Sequence, residues 1–325
     1  MRFSPVSLGM VVLLSLLIAL GSTVGGASAK EEKNAAGPYS LPGESARPVE
    51  PRTCWERLRT RMMLRSKTWL DLRPTRDPTD HVRLLADVPY GAEPGQNLDL
   101  YLPRKGKFPV MVFVHGGAWI SEDKIYYGLV GRYLAENGVG AAVINYRLPP
   151  QTNGEGELRD VAAAFAWTRR HAHDWGGDAE RIFLGGHSAG SHLAAVVATN
   201  PCYLASEGLT LANVRGVVAF SGFYQIGINV RVLGVEYVFE GMDKKAISPI
   251  KWVGIELPPF LLLCAAKEVW YLREPTKAFH RKLIQAGNQS ELFIVPGERH
   301  YGQILNIEAP DSPQGPRILE FIRQH

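Results

Sequence analysis

Between residues 82 and 295 the chain repeats one pattern: a short apolar run, a turn, a helix-length segment, then another apolar run. VRLLADVPYG and NLDLYLP come first, joined by a Gly/Pro turn. Val110–Val114, Ala141–Tyr146, Arg181–Leu184, Val214–Phe220, Phe260–Cys264 and Leu292–Val295 follow. Short runs that are nearly continuous in apolar residues suit strands buried on both faces. The segments between most of them, such as Lys124–Asn137, Leu158–His171, His187–Thr199 and Pro275–Gln285, have the length of helices that carry the chain back to a parallel neighbour. Right-handed crossovers fix the hand. The alternation therefore predicts an α/β fold: a mostly parallel eight-stranded sheet with helices on both faces. The two leading strands are joined too tightly for a crossover, which predicts one antiparallel neighbour there. In such a sheet ligands bind beyond the carboxyl ends of the strands, so chemistry is sought just after each apolar run.

The residues before this region read differently. Arg2 is the only charge ahead of Lys30, Leu8–Leu20 is apolar, and Ala27-Ser28-Ala29 ends a small-residue stretch. Charge, apolar core and A-x-A in that order predict a secretory signal over residues 1–29, cut after Ala29. The apolar core is shorter than the roughly 20 residues a helix needs to span a bilayer. The expected destination is secreted or periplasmic, without stable membrane insertion after cleavage; retention as an N-terminal anchor is the alternative. Residues 30–75 form an extension, first polar and rich in Pro and Gly, then a candidate amphipathic helix over 52–73 that could join a cap. Residues 76–325 are expected to carry the α/β domain. A net charge of +4 with no block of like charges gives no support to a nucleic-acid partner. Cys54, Cys202 and Cys264 cannot all pair within one chain; a Cys54–Cys202 disulfide and three unpaired thiols both stay open. Asn288-Gln289-Ser290 is the one N-x-S/T acceptor, relevant only in a host that glycosylates exported chains.

Three segments after apolar runs carry the chemistry. RIFLG leads into Gly186-His187-Ser188-Ala189-Gly190, with SHLAAVVAT behind it. This is G-x-S-x-G between a strand and a helix, the context in which a strained turn lifts a serine hydroxyl above the sheet. Ser188 is the expected nucleophile. A hydroxyl needs a base, and LFIVPGERHYG places His300 on the loop after the last strand. An acid must hold the imidazole tautomer; PPFLLLCAA is followed by Glu268, with Glu274 the next carboxylate along. PVMVFV ends in His115-Gly116-Gly117-Ala118-Trp119, whose glycines let backbone N–H groups face the site. Gly116, Gly117 and Ala189 are the expected oxyanion donors. His115 is expected to brace this loop rather than act as a base. Asn145-Tyr146-Arg147 with Asp160 is a candidate polar brace beneath the site, and Gly176-Gly177-Asp178 a turn before the nucleophile strand.

Other features are read as structural. His171 and His173 point apart on a helix, so no metal site is expected there, and no cofactor is called for. Trp119, Trp270 and Tyr271 are candidates for an acyl pocket or for core packing.

His115–Trp119, Asp178–Ile182, Gly186–Ala195, Ser248-Pro249 and the PPFLLL strand together resemble the α/β-hydrolase-3 carboxylesterases. This group includes hormone-sensitive-lipase-like esterases and feruloyl or acetyl esterases. The match is nearest to the BD-FAE-like bacterial esterase/lipase branch that keeps HGGAW and GHSAG, and covers roughly residues 86–305. DVPYG, NLDLYLP, HGGAWI and SAGSHLA are also similar to isoprenylcysteine methylesterases and, more distantly, kynurenine formamidases; the leader argues against these. The resemblance implies an α/β-hydrolase fold, a small-molecule ester substrate, Ser188 as nucleophile, His300 as base, and Gly116, Gly117 and Ala189 as oxyanion donors. Where such proteins usually have His-Gly and then Asp, this chain has Cys264-Ala265 and Glu268. The family's cap is reduced to an excursion over Phe223–Glu256, which favours short acyl groups. The expected activity is that of a serine carboxylesterase. An exported amidase or peptidase on the same residues, and a catalytically silent binding protein, are the alternatives.

Overall fold

The computed structural model describes residue 75 and residues 77–325 apart from residue 255. The leader over 1–29, the helix candidate over 52–73, Cys54 and all of the 30–75 extension except Thr75 lie outside the described residues.

Eight strands form one sheet: β1 (Val82–Pro89), β2 (Asn97–Pro103), β3 (Phe108–Val114), β4 (Gly140–Ile144), β5 (Gly177–His187), β6 (Val217–Phe220), β7 (Phe260–Ala265) and β8 (Ser290–Val295). Their order across the sheet is β1-β2-β4-β3-β5-β6-β7-β8. Only β2 runs against its neighbours, pairing antiparallel with both β1 and β4; every other pairing is parallel. Each apolar run of the sequence became a strand. Gly177-Asp178, read as a turn, instead opens β5, because Gly176 at φ 98° makes the turn alone.

The central strands are buried on both faces because their residues alternate between two cores. Val110, Val112 and Val114 of β3 face one core, while Met111 and Phe113 face the other. Against the first lie α2 (Gly154–His171), α3 (Ala189–Val197) and α6 (Trp270–Gln285). Against the second lie α1 (Gly128–Glu136) and α8 (Gln314–Gln324). Helix α2 starts where the Asn153 side chain accepts from the N–H groups of Glu155 and Gly156; acids fill its first turn and Arg169, Arg170 and His171 its last. Both ends suit the helix dipole. Short α4 (Pro201–Ala205), α5 (Ile228–Leu233) and α7 (Gly302–Leu305) complete the α-helices among the described residues. The edge strands β1 and β8 are the least buried.

Between β6 and β7 the chain makes the short excursion expected as a reduced cap. Phe223, Val230, Val235 and Phe239 bury in the first core. The glycosylation acceptor has a structural role. Asn288 Oδ1 accepts from the Leu257 N–H at 2.9 Å, and its Nδ2 is enclosed.

Candidate active site

Strands β3, β5, β7 and β8 end at the same edge of the sheet, and the loops after them carry the candidate residues. Val114 of β3 pairs with Gly186 of β5, so the His115–Trp119 segment emerges beside the G-x-S-x-G turn. The turn is tight. Ser188 sits at φ 55°, ψ −115°, a region costing a non-glycine residue on the order of 1–3 kcal/mol. The surroundings hold it there: its N–H donates to Phe220 O at 2.8 Å. A Cβ on Gly190 would collide with the carbonyls of Val114 and His115, and one on Gly186 with the backbone of Gly190. Both glycines are thus required by close approach of chain to chain.

Glu268 and His300 meet as expected. His300 Nδ1 lies 2.8 Å from Glu268 Oε2, with the carboxylate side chain almost fully buried and the imidazole 20% exposed. Burial alone would push the Glu268 carboxyl up. The His300 ring, with hydrogen bonds from it, from Ser221 and from the Val269 N–H, outweighs burial and holds the carboxyl below its ordinary value. Glu274 is exposed and pairs with Arg273 and Lys277, so it does not compete. The His300 ring packs 4.5 Å from that of His187, the residue before Ser188. The loop is pinned there by its own carbonyl: His187 Nε2 donates to His300 O at 3.0 Å, and Gln303 Nε2 to the same oxygen at 2.9 Å.

The loop after β3 requires one correction. The Gly116 N–H donates to Tyr127 Oη at 3.1 Å, so it is not free to meet an oxyanion. Its carbonyl is also taken, by Tyr146 Oη at 2.9 Å and His115 Nδ1 at 2.9 Å. The chain turns only at Gly117, at φ 99°, where a Cβ would strike Ser121 O. Ala118 and Trp119 follow at φ 47° and 63°. Among the described residues nothing accepts from the N–H of Gly117 or Ala118. Ala189 opens α3, where a first-turn N–H has no partner within the helix. The donor set that fits is Gly117, Ala118 and Ala189. Sequence reasoning missed Ala118 because nothing in an alanine announces a left-handed backbone.

His115 is buried and stacks on Tyr146 at 4.3 Å; burial holds its pKa down to about 4. It is a brace. Asp160 binds the Arg147 guanidinium at 2.6 Å and the Arg147 N–H at 2.9 Å, and Asn145 holds Lys124 N and Asp123, so the polar brace forms. Trp119 is core: it packs on Phe223 and Phe239, and its Nε1–H donates to His192 Nδ1 at 3.2 Å. Trp270 instead is 60% exposed. His171 and His173 both turn to Asp174, and no group of three metal-ligating side chains occurs among the described residues.

Comparison with known proteins places this geometry. The probable isoprenylcysteine alpha-carbonyl methylesterase ICME of Oryza sativa subsp. japonica is 36% identical over 67% of this chain and 58% of its own length. Esterase LipQ of Mycobacterium tuberculosis is 32% identical over 69% of this chain and 59% of its own. The likeness to isoprenylcysteine methylesterases, against which the leader counted, is therefore substantial. The chain spans little more than half the length of the curated relatives it matches. The crystal structure of esterase B from Lactobacillus Rhamnosis (HN001) superposes with a TM-score of 0.70, covering 84% of this chain and 98% of that one at 22% identity; the fold is the α/β-hydrolase fold. The BD-FAE family model matches residues 98–283, more than half of the chain, and the protein belongs to that family.

Proposed function

We propose that the protein is a serine carboxylic ester hydrolase working through an acyl-enzyme on small to medium acyl esters. The observation that carries this reading is the 2.8 Å contact between His300 Nδ1 and the buried Glu268 carboxylate. A hydrogen bond donated by Nδ1–H to that carboxylate fixes the tautomer and leaves Nε2 as the base. Ser188 Oγ attacks the ester carbonyl while His300 Nε2 takes its proton. The N–H groups of Ala189, Gly117 and Ala118 receive the developing oxyanion. His300 returns the proton to the departing alkoxide, and water repeats the sequence on the acyl-enzyme. A pre-strained serine and a rigid donor loop cost no rearrangement during reaction. The relatives' names, esterase and methylesterase, support an ester over an amide. The short excursion between β6 and β7 supports acyl groups of modest size, and the order of charge, apolar run and Ala27-Ser28-Ala29 within residues 1–29 supports export.

The test uses the full chain with p-nitrophenyl butyrate, a matched anilide and a fluorophosphonate probe. Ester turnover well above anilide turnover is expected, with one probe per chain, located on Ser188 by mass spectrometry. Ser188→Ala should lose about 10⁴-fold or more in kcat and all labelling. Equal turnover by the variant, or a labelled residue elsewhere, would overturn the reading.

A further inference from the structure

Beside the candidate base lies a carboxyl group the mechanism does not use. Glu122 follows the oxyanion loop at φ 73°. Its Oε2 is 2.6 Å from Tyr127 Oη and its Oε1 2.7 Å from Tyr301 Oη. Tyr127 is fully buried and meets two further groups: the Gly116 N–H at 3.1 Å and His187 Nδ1 at 3.0 Å. The opposite nitrogen of His187 reaches the His300 carbonyl at 3.0 Å. One connected set of hydrogen bonds thus joins the loop after β3, the residue before Ser188, and the loop bearing His300.

Counting protons in this network shows that it is one short. A carbonyl only accepts, so His187 Nε2 carries a hydrogen. The Gly116 N–H only donates, into the Tyr127 oxygen. The single Tyr127 hydroxyl proton then faces two acceptors, Glu122 Oε2 and His187 Nδ1. If Glu122 is ionised and His187 neutral, there are two arrangements: either the fully buried His187 Nδ1 is left without a donor, at a cost of about 1–3 kcal/mol, or the half-buried Glu122 Oε2 sits 2.6 Å from a Tyr127 oxygen that offers it no hydrogen. One added proton closes the set. Placed on Glu122 Oε2, it donates to the Tyr127 oxygen and frees the Tyr127 hydroxyl to donate to His187 Nδ1. Placed on His187, it makes a fully buried imidazolium packed against the His300 ring. Burial and His300 both press His187 away from that form, while burial pushes the Glu122 carboxyl up.

We propose that Glu122 acts as a neutral carboxylic acid, a positioning residue whose proton locks Tyr127 onto His187 and so sets the His300 carbonyl and the Gly116 N–H in register. The role rests on the reading of His300 as base. The groups that face this carboxyl are Tyr127 from the turn before α1, His300 and Tyr301 from the loop after β8, and Tyr146 from the end of β4. Burial raises this carboxyl's pKa against the hydrogen bonds from Tyr127 and Tyr301 and the His300 charge, which lower it; the proton is present below the folded value and lost as pH rises through it, loosening the lock.

Infrared difference spectra between wild type and Glu122→Gln, taken across pH, test the protonation without any appeal to turnover. The expected result is a protonated-carboxyl carbonyl band at neutral pH that belongs to wild type alone and fades at alkaline pH. A carboxylate difference band at neutral pH would overturn the proposal, whether or not the protein hydrolyses esters. Kinetics test the positioning. The glutamine amide can donate to Tyr127 and accept from Tyr301, so Glu122→Gln should rescue kcat to within about threefold of wild type and remove its alkaline fall. Glu122→Leu should lose about 10- to 100-fold in kcat with KM little changed. If Glu122→Gln is as impaired as Glu122→Leu while both melt like wild type, the negative charge is what matters and the proposal fails. Failure of the ester-hydrolase reading shows separately, as wild type without turnover or probe labelling.

Discussion

Ser188, Glu268 and His300 each stand a few residues beyond an apolar run, where the parallel strands end and the loops bring side chains together above the sheet. Glu268 is the informative member, because its carboxylate has longer reach than the aspartate usual in such proteins. It meets His300 from a loop whose backbone folds back: the Val269 N–H donates to the second carboxyl oxygen at 2.9 Å. Glu268→Gln should therefore keep the fold and lose about 10³- to 10⁴-fold in kcat, since an amide oriented by the Val269 N–H no longer holds the productive imidazole tautomer. Unchanged kcat in a folded variant would remove Glu268 from its role. These three residues were legible in the sequence because position after a strand and side-chain chemistry coincide. Ala118 was not, since its contribution lies in its backbone angle. Nor were Glu122 and Tyr301, which pair across 179 positions with no motif to link them.

At the scale of elements, all eight strands were legible as apolar runs, and the differences lie at element ends and in one bulge. Proline favours a helix's first turn, yet helix α6 begins at Trp270, ahead of Pro275 where the helix-length segment was read to start. Burial of Leu272 overrides that preference, and Thr276 Oγ1 donates to the Leu272 carbonyl at 2.8 Å. Strand β1 shows a second override. Its register shifts between Leu85 and Val88, with Asp87 at φ 55°. The bulge is held by charge: the Asp87 N–H donates to Asp99 Oδ1 at 2.8 Å, and the Lys124 ammonium lies 2.8 Å from Asp99 and 2.7 Å from Asp87. Lys124 and Asp99 are 2% and 0% exposed. Lys124→Met should thus cost about 3–5 kcal/mol, because it takes away the cation that faces a buried carboxylate. The check is a lower urea midpoint at unchanged slope, and a loss below about 1 kcal/mol would mean that Asp99 finds another partner.

The stability of the whole molecule should depend on pH in part through Glu157, whose charge also acts on Tyr146. Glu157 is fully enclosed in the first turns of α2, and among the described residues neither carboxyl oxygen takes a hydrogen bond. Burial first, and the Asp160 charge second, raise its pKa well above the ordinary value. The folded chain keeps a proton that the unfolded chain releases above about pH 4.3, so stability is full below that pH and declines as pH rises towards the folded value. Glu157→Met, similar in volume, should stabilise the protein by about 1–3 kcal/mol at pH 7, with the advantage closing towards pH 4. Thermal melts at the two pH values decide this, and a gap that stays constant would assign the gain to packing alone. The Asn288 carboxamide has a consequence of timing. Its oxygen caps Leu257 and its nitrogen is enclosed once β7 and β8 have formed. In a host that attaches oligosaccharides to exported chains, the sugar must arrive before those strands close or not at all. A chain modified early could not seat that carboxamide, so such a host would yield a fast-folding bare population and a sugar-bearing one barred from the native state.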